Sequence, residues 1–498
     1  MFSAEETEKM LSAEKSGEMP AAEAMKEEKM KIGENEKEKT GNGEIRKGKV
    51  FNGITEGIIW QQVLIYFFPI LIGTFFQQLY NTVDTVIVGQ FAGKAALSSV
   101  GGSSGQMINF VVGFFTGLSS GCSVVIARFY GAGRQEKLEQ SVHTAYAFAL
   151  TGGIGLGLMG VLLSSTILKL MNTPEELLQS SGIYLKIYFA GLVFIFIYNI
   201  GSAILRALGD SRRPLYYLIL CCIINVILDL LFVIVFRLAV VGVAVATLIA
   251  QGVSAALVTI TLMTRTPQVR LTLKKIRFYK GTLGKMLSIG LPAGIQACLY
   301  SISNIILQTS LNRYGVNTMA AWASVGKLDA FFWMVNSSFG VTISTFAGQN
   351  YGAGKKQRIG QSLRTCILME LAMAAVISLI LLNFSSPLLS LFTNDPKVIR
   401  IGARMLAVIA PFYFFFVFVE NFSGTLRAEG YVLVPTLIVV VGVCVFRMIW
   451  VLLIMVKGSI EEIVSCYPIT WALCALLVTI YFIYRQRLIL RDESIKNI

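Results

Sequence analysis

A single histidine, His143, stands among 498 residues, and only 14% of the chain is charged. One imidazole cannot build a histidine metal cluster, and catalysis that relies on histidine acids and bases is left without partners. Its place near Glu139 reads as a helix end. Eight cysteines, Cys122, Cys221, Cys222, Cys298, Cys366, Cys444, Cys466 and Cys474, are scattered through apolar runs without metal-ligand spacing, and they read as small packing residues. No Gly-x-x-x-x-Gly-Lys-Ser/Thr loop is present, so no ATP chemistry is indicated. The ten-residue alternation of a membrane β-barrel is missing too. The amino terminus is acidic and lacks an early apolar core, so no signal peptide is expected.

What the chain does have is apolar length. Apolar residues make up 55% of it and mean hydropathy is +0.67, which a soluble chain of this size would reach only by exposing large apolar patches. Runs of about 18 residues or more cross roughly 30 Å of hydrocarbon. The breakers between them predict twelve helices, at 59–83, 95–127, 138–170, 177–206, 214–236, 240–264, 284–312, 318–348, 360–392, 398–426, 432–456 and 462–484. Basic residues gather in alternate loops, around Arg128 and Arg134, around Arg212 and Arg213, in the connector from Arg265 to Lys285, and at Lys355 to Arg358. Those loops are expected on the cytoplasmic side, with both termini inside and the protein multi-pass in a bacterial plasma (inner) membrane.

The net charge of +14 also raises nucleic-acid binding. Residues 1–50 hold 12 acidic and 10 basic side chains, so the remainder carries +16, concentrated in the inner loops where anionic membrane lipids attract it. No nucleic acid is expected as a partner. The first 50 residues read as a disordered, charged cytoplasmic tail.

Punctuation repeats along the chain. Tyr130-Gly131-Ala132-Gly133 returns as Tyr351-Gly352-Ala353-Gly354, and Leu205-Arg206-Ala207 with Pro214 returns as Leu426-Arg427-Ala428 with Pro435, both at an offset of 221. A common offset for separate motifs implies a duplicated bundle. The expected fold is therefore an all-α polytopic membrane protein. Its twelve transmembrane helices form two pseudo-symmetric six-helix bundles around a central cleft, the first lobe at 51–265, a basic connector at 266–283 and the second lobe at 284–490.

Polar residues inside apolar spans point to chemistry. Thr74, Gln77, Asn81 and Asp84 fall on one face of the first helix, and Asp84 is followed by more apolar sequence, so it is a carboxylate within the span. Asp229 lies in the fifth helix with Asn225 one turn before it, and Thr247 follows on the sixth. Two carboxylates, an amide oxygen and a hydroxyl make an all-oxygen set suited to a small cation or a shared proton. In the second lobe Asn304, Gln308, Asp329 and Glu420 are the cleft candidates, joined by Gln77 and Asn81 from the first. Arg206 and Arg427 read as helix-end residues that cap carbonyls or meet lipid phosphate.

The segment from Pro69 to Asp84, the doubled Tyr-Gly-Ala-Gly and Leu-Arg-Ala motifs, the Asn225/Asp229 pair and Gln349-Asn350 together resemble the multidrug and toxic compound extrusion (MATE) family, over about residues 55–490. The resemblance implies export of amphiphilic, often cationic, small molecules against inflow of Na+ or H+, with no cofactor and no enzymatic activity. It also implies a coupling site at Asp84, Asn225, Asp229 and Thr247, a bend of the first helix at Pro69, and a protein expected to be monomeric. The chain departs from the family in carrying Asp229-Leu230 where Asp-Pro is common. At offset 221, Asn225 and Asp229 are replaced by Phe446 and Trp450, so coupling is expected to reside in the first lobe alone. A lipid-linked oligosaccharide flippase of the same superfamily is the alternative, and an intramembrane enzyme a more distant one.

Overall fold

The computed structural model describes residues 54–454 and 458–496, and all of the regular structure among them is helical. The expected tail, residues 1–50, lies outside the described residues. Twelve long helices follow in order. In the first half they are α1 (Ile59–Ile87), α2 (Ser103–Gly131), α3 (Gln135–Leu170), α4 (Glu175–Ala190 and Leu192–Ala207), α5 (Arg212–Leu230) and α6 (Ala239–Thr264). The second half holds α7 (Thr282–Asn312), α8 (Val316–Gly352), α9 (Lys356–Asn383), α10 (Pro396–Ile409 and Tyr413–Glu429), α11 (Leu433–Val439 and Arg447–Ile454) and α12 (Ile460–Val464 and Cys466–Lys496).

Several ends differ from the sequence expectation. The first helix runs past 83 to Ile87 and on through a π-helical turn, Val88–Ala92, which leaves Asp84 well inside it. The second is interrupted at Gly102, and the ninth stops at Asn383 with a short helix, Ser385–Ser390, after it. The two segments of α4 meet at Gly191 with a bend of 45°. Among the described residues ten helices, eleven with that bent pair, are long and apolar enough to cross a membrane. The remaining long one, α8, carries Lys327, Asp329 and many Ser, Thr and Asn side chains because much of it is buried against protein.

The halves meet where small residues allow it. Gly117 and Gly121 of α2 face Gly294 and Gly290 of α7, and a Cβ at Gly117 would lie 2.3 Å from the Gly294 amide nitrogen. Spacing of four residues puts both glycines on one helix face, so the two backbones touch.

At the end of the bundle that carries the basic loops, the two repeated motifs contact each other across the halves. Arg128 Nε donates to the Ala428 carbonyl at 2.6 Å, and Gln349 Nε2 donates to the Ala207 carbonyl at 2.7 Å. Arg128 and Gln349 are 221 residues apart, as are Ala207 and Ala428, so this is one contact made twice about a pseudo-twofold axis. The glycines obey the same exchange. A Cβ on Gly131 would meet the Gln349 carbonyl at 2.0 Å, and one on Gly352 the Arg128 carbonyl at 2.0 Å. Glycine is required at both positions for this approach.

The segments that lead into each half dock reciprocally. Arg358, at the start of α9, donates to the carbonyls of Ile54, Glu56 and Gly57, just before α1. The connector before α7 docks on the start of α3, where Lys275 pairs with Glu139 at 2.7 Å and the Thr272 amide donates to His143 Nε2 at 3.0 Å. His143 Nδ1 lies 2.8 Å from the Glu139 carbonyl. A carbonyl can only accept and an amide can only donate, so the ring is neutral with its proton on Nδ1.

Candidate functional site

Two sites emerge from the packing of these helices. The first lies where α1 and α5 meet, with α6 packed against α5. Asp84, Asn225, Asp229 and Thr247 are all buried there, at 8%, 1%, 0% and 9% exposure. The Asp84 and Asp229 carboxyl groups are close enough to interact with each other. Asn225 sits one turn before Asp229 on the same face. Asp84 Oδ1, both Asp229 oxygens, both side-chain polar atoms of Asn225 and Thr247 Oγ1 are buried with no hydrogen-bond partner. Buried polar atoms are nearly always paired, and these four residues together carry six that have no protein partner. Their supply is oxygen-rich and carries at most two negative charges, which suits one monovalent cation or a proton. Among the described residues there is no group of three or more His, Cys, Asp or Glu that would hold a more highly charged metal. Both carboxylates stand beside a π-helical turn, Val88–Ala92 after Asp84 and Leu231–Val235 after Asp229. Such turns recur at functional positions because they reset the helix register.

The second site is a cavity of about 700 Å³ between the halves, walled by α2 and α4 on one side and by α7, α8, α10, α11 and α12 on the other. Of the cleft residues expected from sequence, Asn304, Asp329 and Glu420 line it. Gln77, Asn81 and Gln308 do not: Asn81 is exposed on α1, Gln77 is half-buried there, and Gln308 donates to Asn312 on the outside of α7. The polar stripe of α1 thus splits, because only its last member, Asp84, turns inward toward α5. Arg206 and Arg427, expected only to cap helix ends, also line the cavity.

Asp329 accepts from Trp333 Nε1 at 2.6 Å and from the Tyr413 hydroxyl at 2.5 Å, so both its oxygens are engaged. Glu420 lies against Gly340, where any side chain would collide with it: a Cβ there would stand 2.3 Å from Glu420 Oε1. Behind the wall sits a carboxylate that sequence reasoning missed. Glu370 of α9 is fully buried and accepts from Asn336 Nδ2 at 2.8 Å and from Asn421 Nδ2 at 2.6 Å. Arg447, at the end of a π-helical stretch in α11, was missed as well, and it lines the cavity at 2% exposure. The criterion that singled out Asp84, a charge within an apolar run, applies equally to Glu370 and Arg447. Pro292 of α7 was likewise overlooked; like Pro69 of α1 it lies inside its helix and removes a backbone donor there.

Comparison with known proteins agrees with the fold. The MatE family profile matches residues 69–231 and 292–453, one match per half. The chain is 30% identical over 445 residues to the "Probable multidrug resistance protein YoeA" of Bacillus subtilis, covering 87% of this chain and 96% of that protein. It is 28% identical over 377 residues to the "Probable multidrug resistance protein YpnP" of the same organism, covering 76% and 84%. Among solved structures, a MATE transporter in its bent conformation superposes with a TM-score of 0.82 at 19% identity, covering 89% of this chain and 98% of that one.

Proposed function

Because the chain belongs to the MatE family, we propose that it is a secondary active exporter of amphiphilic, often cationic, compounds, driven by antiport with Na+ or H+. Relatives that bear the names of multidrug resistance proteins support the export of drugs. The observation that carries the coupling is the cluster of orphaned oxygens at Asp84, Asn225, Asp229 and Thr247. A cation there would supply the partner that all four lack, and a proton would relieve the repulsion between the two carboxylates. Either event changes the charge between α1 and α5, and α1 holds Pro69, where the missing N–H makes the helix easiest to bend.

Transport proceeds by rocking of the two halves, with the basic end in the cytoplasm of a bacterial cell, both termini inside, and the protein monomeric. The reciprocal contacts of Arg128 with Ala428 and of Gln349 with Ala207 support this, since they close the basic end and would have to part for a substrate to enter from it. A second reading, flipping of a lipid-linked oligosaccharide, is favoured by one observation: Arg206, Arg427 and Arg447 all line the cavity, where a pyrophosphate could meet them.

The test is efflux of a fluorescent cationic dye from proteoliposomes, under a sodium gradient and a proton gradient applied separately. The wild type should respond to one of them, and Asp84→Asn and Asp229→Asn to neither. Full activity of Asp229→Asn would remove the coupling assignment, and failure of both gradients in the wild type would put the flippase reading first.

A further inference from the structure

Resting on the exporter reading, we propose that Arg447 anchors an anion-holding subsite in the central cavity, one that selects aromatic amphiphiles carrying a carboxylate, zwitterions included. Its neighbours on α11, Val445, Ile449 and Leu452, are exposed on the apolar outside, whereas Arg447 points inward at 2% exposure. A guanidinium in a span costs several kcal/mol unless it is compensated. Here compensation is partial. Nη1 donates to Asn304 Oδ1 at 3.3 Å, the guanidinium carbon stands 4.1 Å from the centre of the Tyr467 ring, and Nε is buried without an acceptor.

No carboxylate among the described residues lies within 4.0 Å of the Arg447 nitrogens. Asp329, on the same cavity, is near enough for its charge to act on Arg447 but makes no hydrogen bond to it and accepts from Trp333 and Tyr413 instead. One helical turn from Asn304, the Tyr300 hydroxyl is also buried and unpartnered. The wall therefore presents a guanidinium and a phenol with donor capacity to spare. A carboxylate answers both, since its two oxygens match the planar guanidinium and accept from a hydroxyl as well. The rings of Trp322 and Tyr467, 5.9 Å apart, give the aromatic part of such a ligand a surface beside the charge.

A matched dye pair tests this. Rhodamine B carries a free carboxylate and a cationic ring system, and its ethyl ester keeps the ring system and loses the anion. Binding of both to the purified full-length protein in nanodiscs, read by dye polarisation, should show Arg447→Gln weakening rhodamine B by about tenfold or more with the ester unchanged. Arg447→Lys should recover part of that loss, and Tyr300→Phe should show a smaller loss confined to the acid. Equal weakening of acid and ester in Arg447→Gln, or no effect on the acid in either Arg447→Gln or Tyr300→Phe, would overturn the subsite. Wild type that binds the ester without any Arg447-dependent preference for the acid fails the subsite alone; wild type that binds neither dye fails the exporter reading with it.

Discussion

Glu370 of the second half and Asp229 of the first are both fully buried but treated in opposite ways. In the second half Glu370 receives two amide donors and Asp329 receives an indole and a phenol. In the first half Asp229 receives none at all, although it too is fully buried. A satisfied carboxylate is part of the scaffold, because its partners hold it and it holds them. An unsatisfied one beside a second carboxylate leaves a demand that a mobile positive charge would meet. Burial alone therefore does not identify a working group. The partner list does.

Five substitutions would break or sharpen this contrast. The largest effect is expected from Asp229→Asn, which should reduce gradient-driven dye efflux to that of empty liposomes while the thermal transition of the purified protein stays or rises, since a like-charge contact is removed. Glu370→Ala should do the reverse. It strands two buried amides and opens a cavity, which costs about 3 kcal/mol on the scale of such losses, read as a fall in Tm. Glu370→Gln, which keeps the shape and one acceptor, should cost about 1 kcal/mol and leave efflux near wild type. A loss of about 1–2 kcal/mol, smaller than for Glu370→Ala, is expected for Asp329→Asn, because the Trp333 indole and the Tyr413 hydroxyl both lose a charged acceptor and one of them is left with none. Gln349→Ala should cost no more than Glu370→Gln, about 1 kcal/mol for one side-chain-to-carbonyl bond. It should register as faster labelling of a cysteine placed in the cavity from the basic end. If Glu370→Gln proved as damaging to efflux as Asp229→Asn, the contrast between the halves would fail.

The architecture was largely legible from sequence because spans, basic loops and an offset of 221 are properties of the order of residues alone. The Asp84, Asn225 and Asp229 set was legible because each breaks an apolar run. What escaped was relational. The offset made Tyr-Gly-Ala-Gly and Leu-Arg-Ala equivalent between halves but carried no information that Arg128 would reach Ala428 across the interface. Gln77 and Asn81 share a helical face with Asp84, yet the curvature of packing buries one end of that stripe and leaves the other out. Arg206 and Arg427 do stand at helix ends, and the same ends form the floor of the cavity.

The paired contacts at the basic end also set an energetic scale. The carbonyls of residues 207, 427 and 428 accept three bonds across the halves there, from Gln349 and twice from Arg128. At about 1 kcal/mol net apiece they amount to about 3 kcal/mol. One monovalent cation crossing about 100 mV releases about 2.3 kcal/mol. A tenfold concentration gradient adds about 1.4 kcal/mol. Opening this end thus lies within the reach of a single ion per cycle, and because the acceptors are backbone atoms, most side-chain substitutions leave that balance where it is.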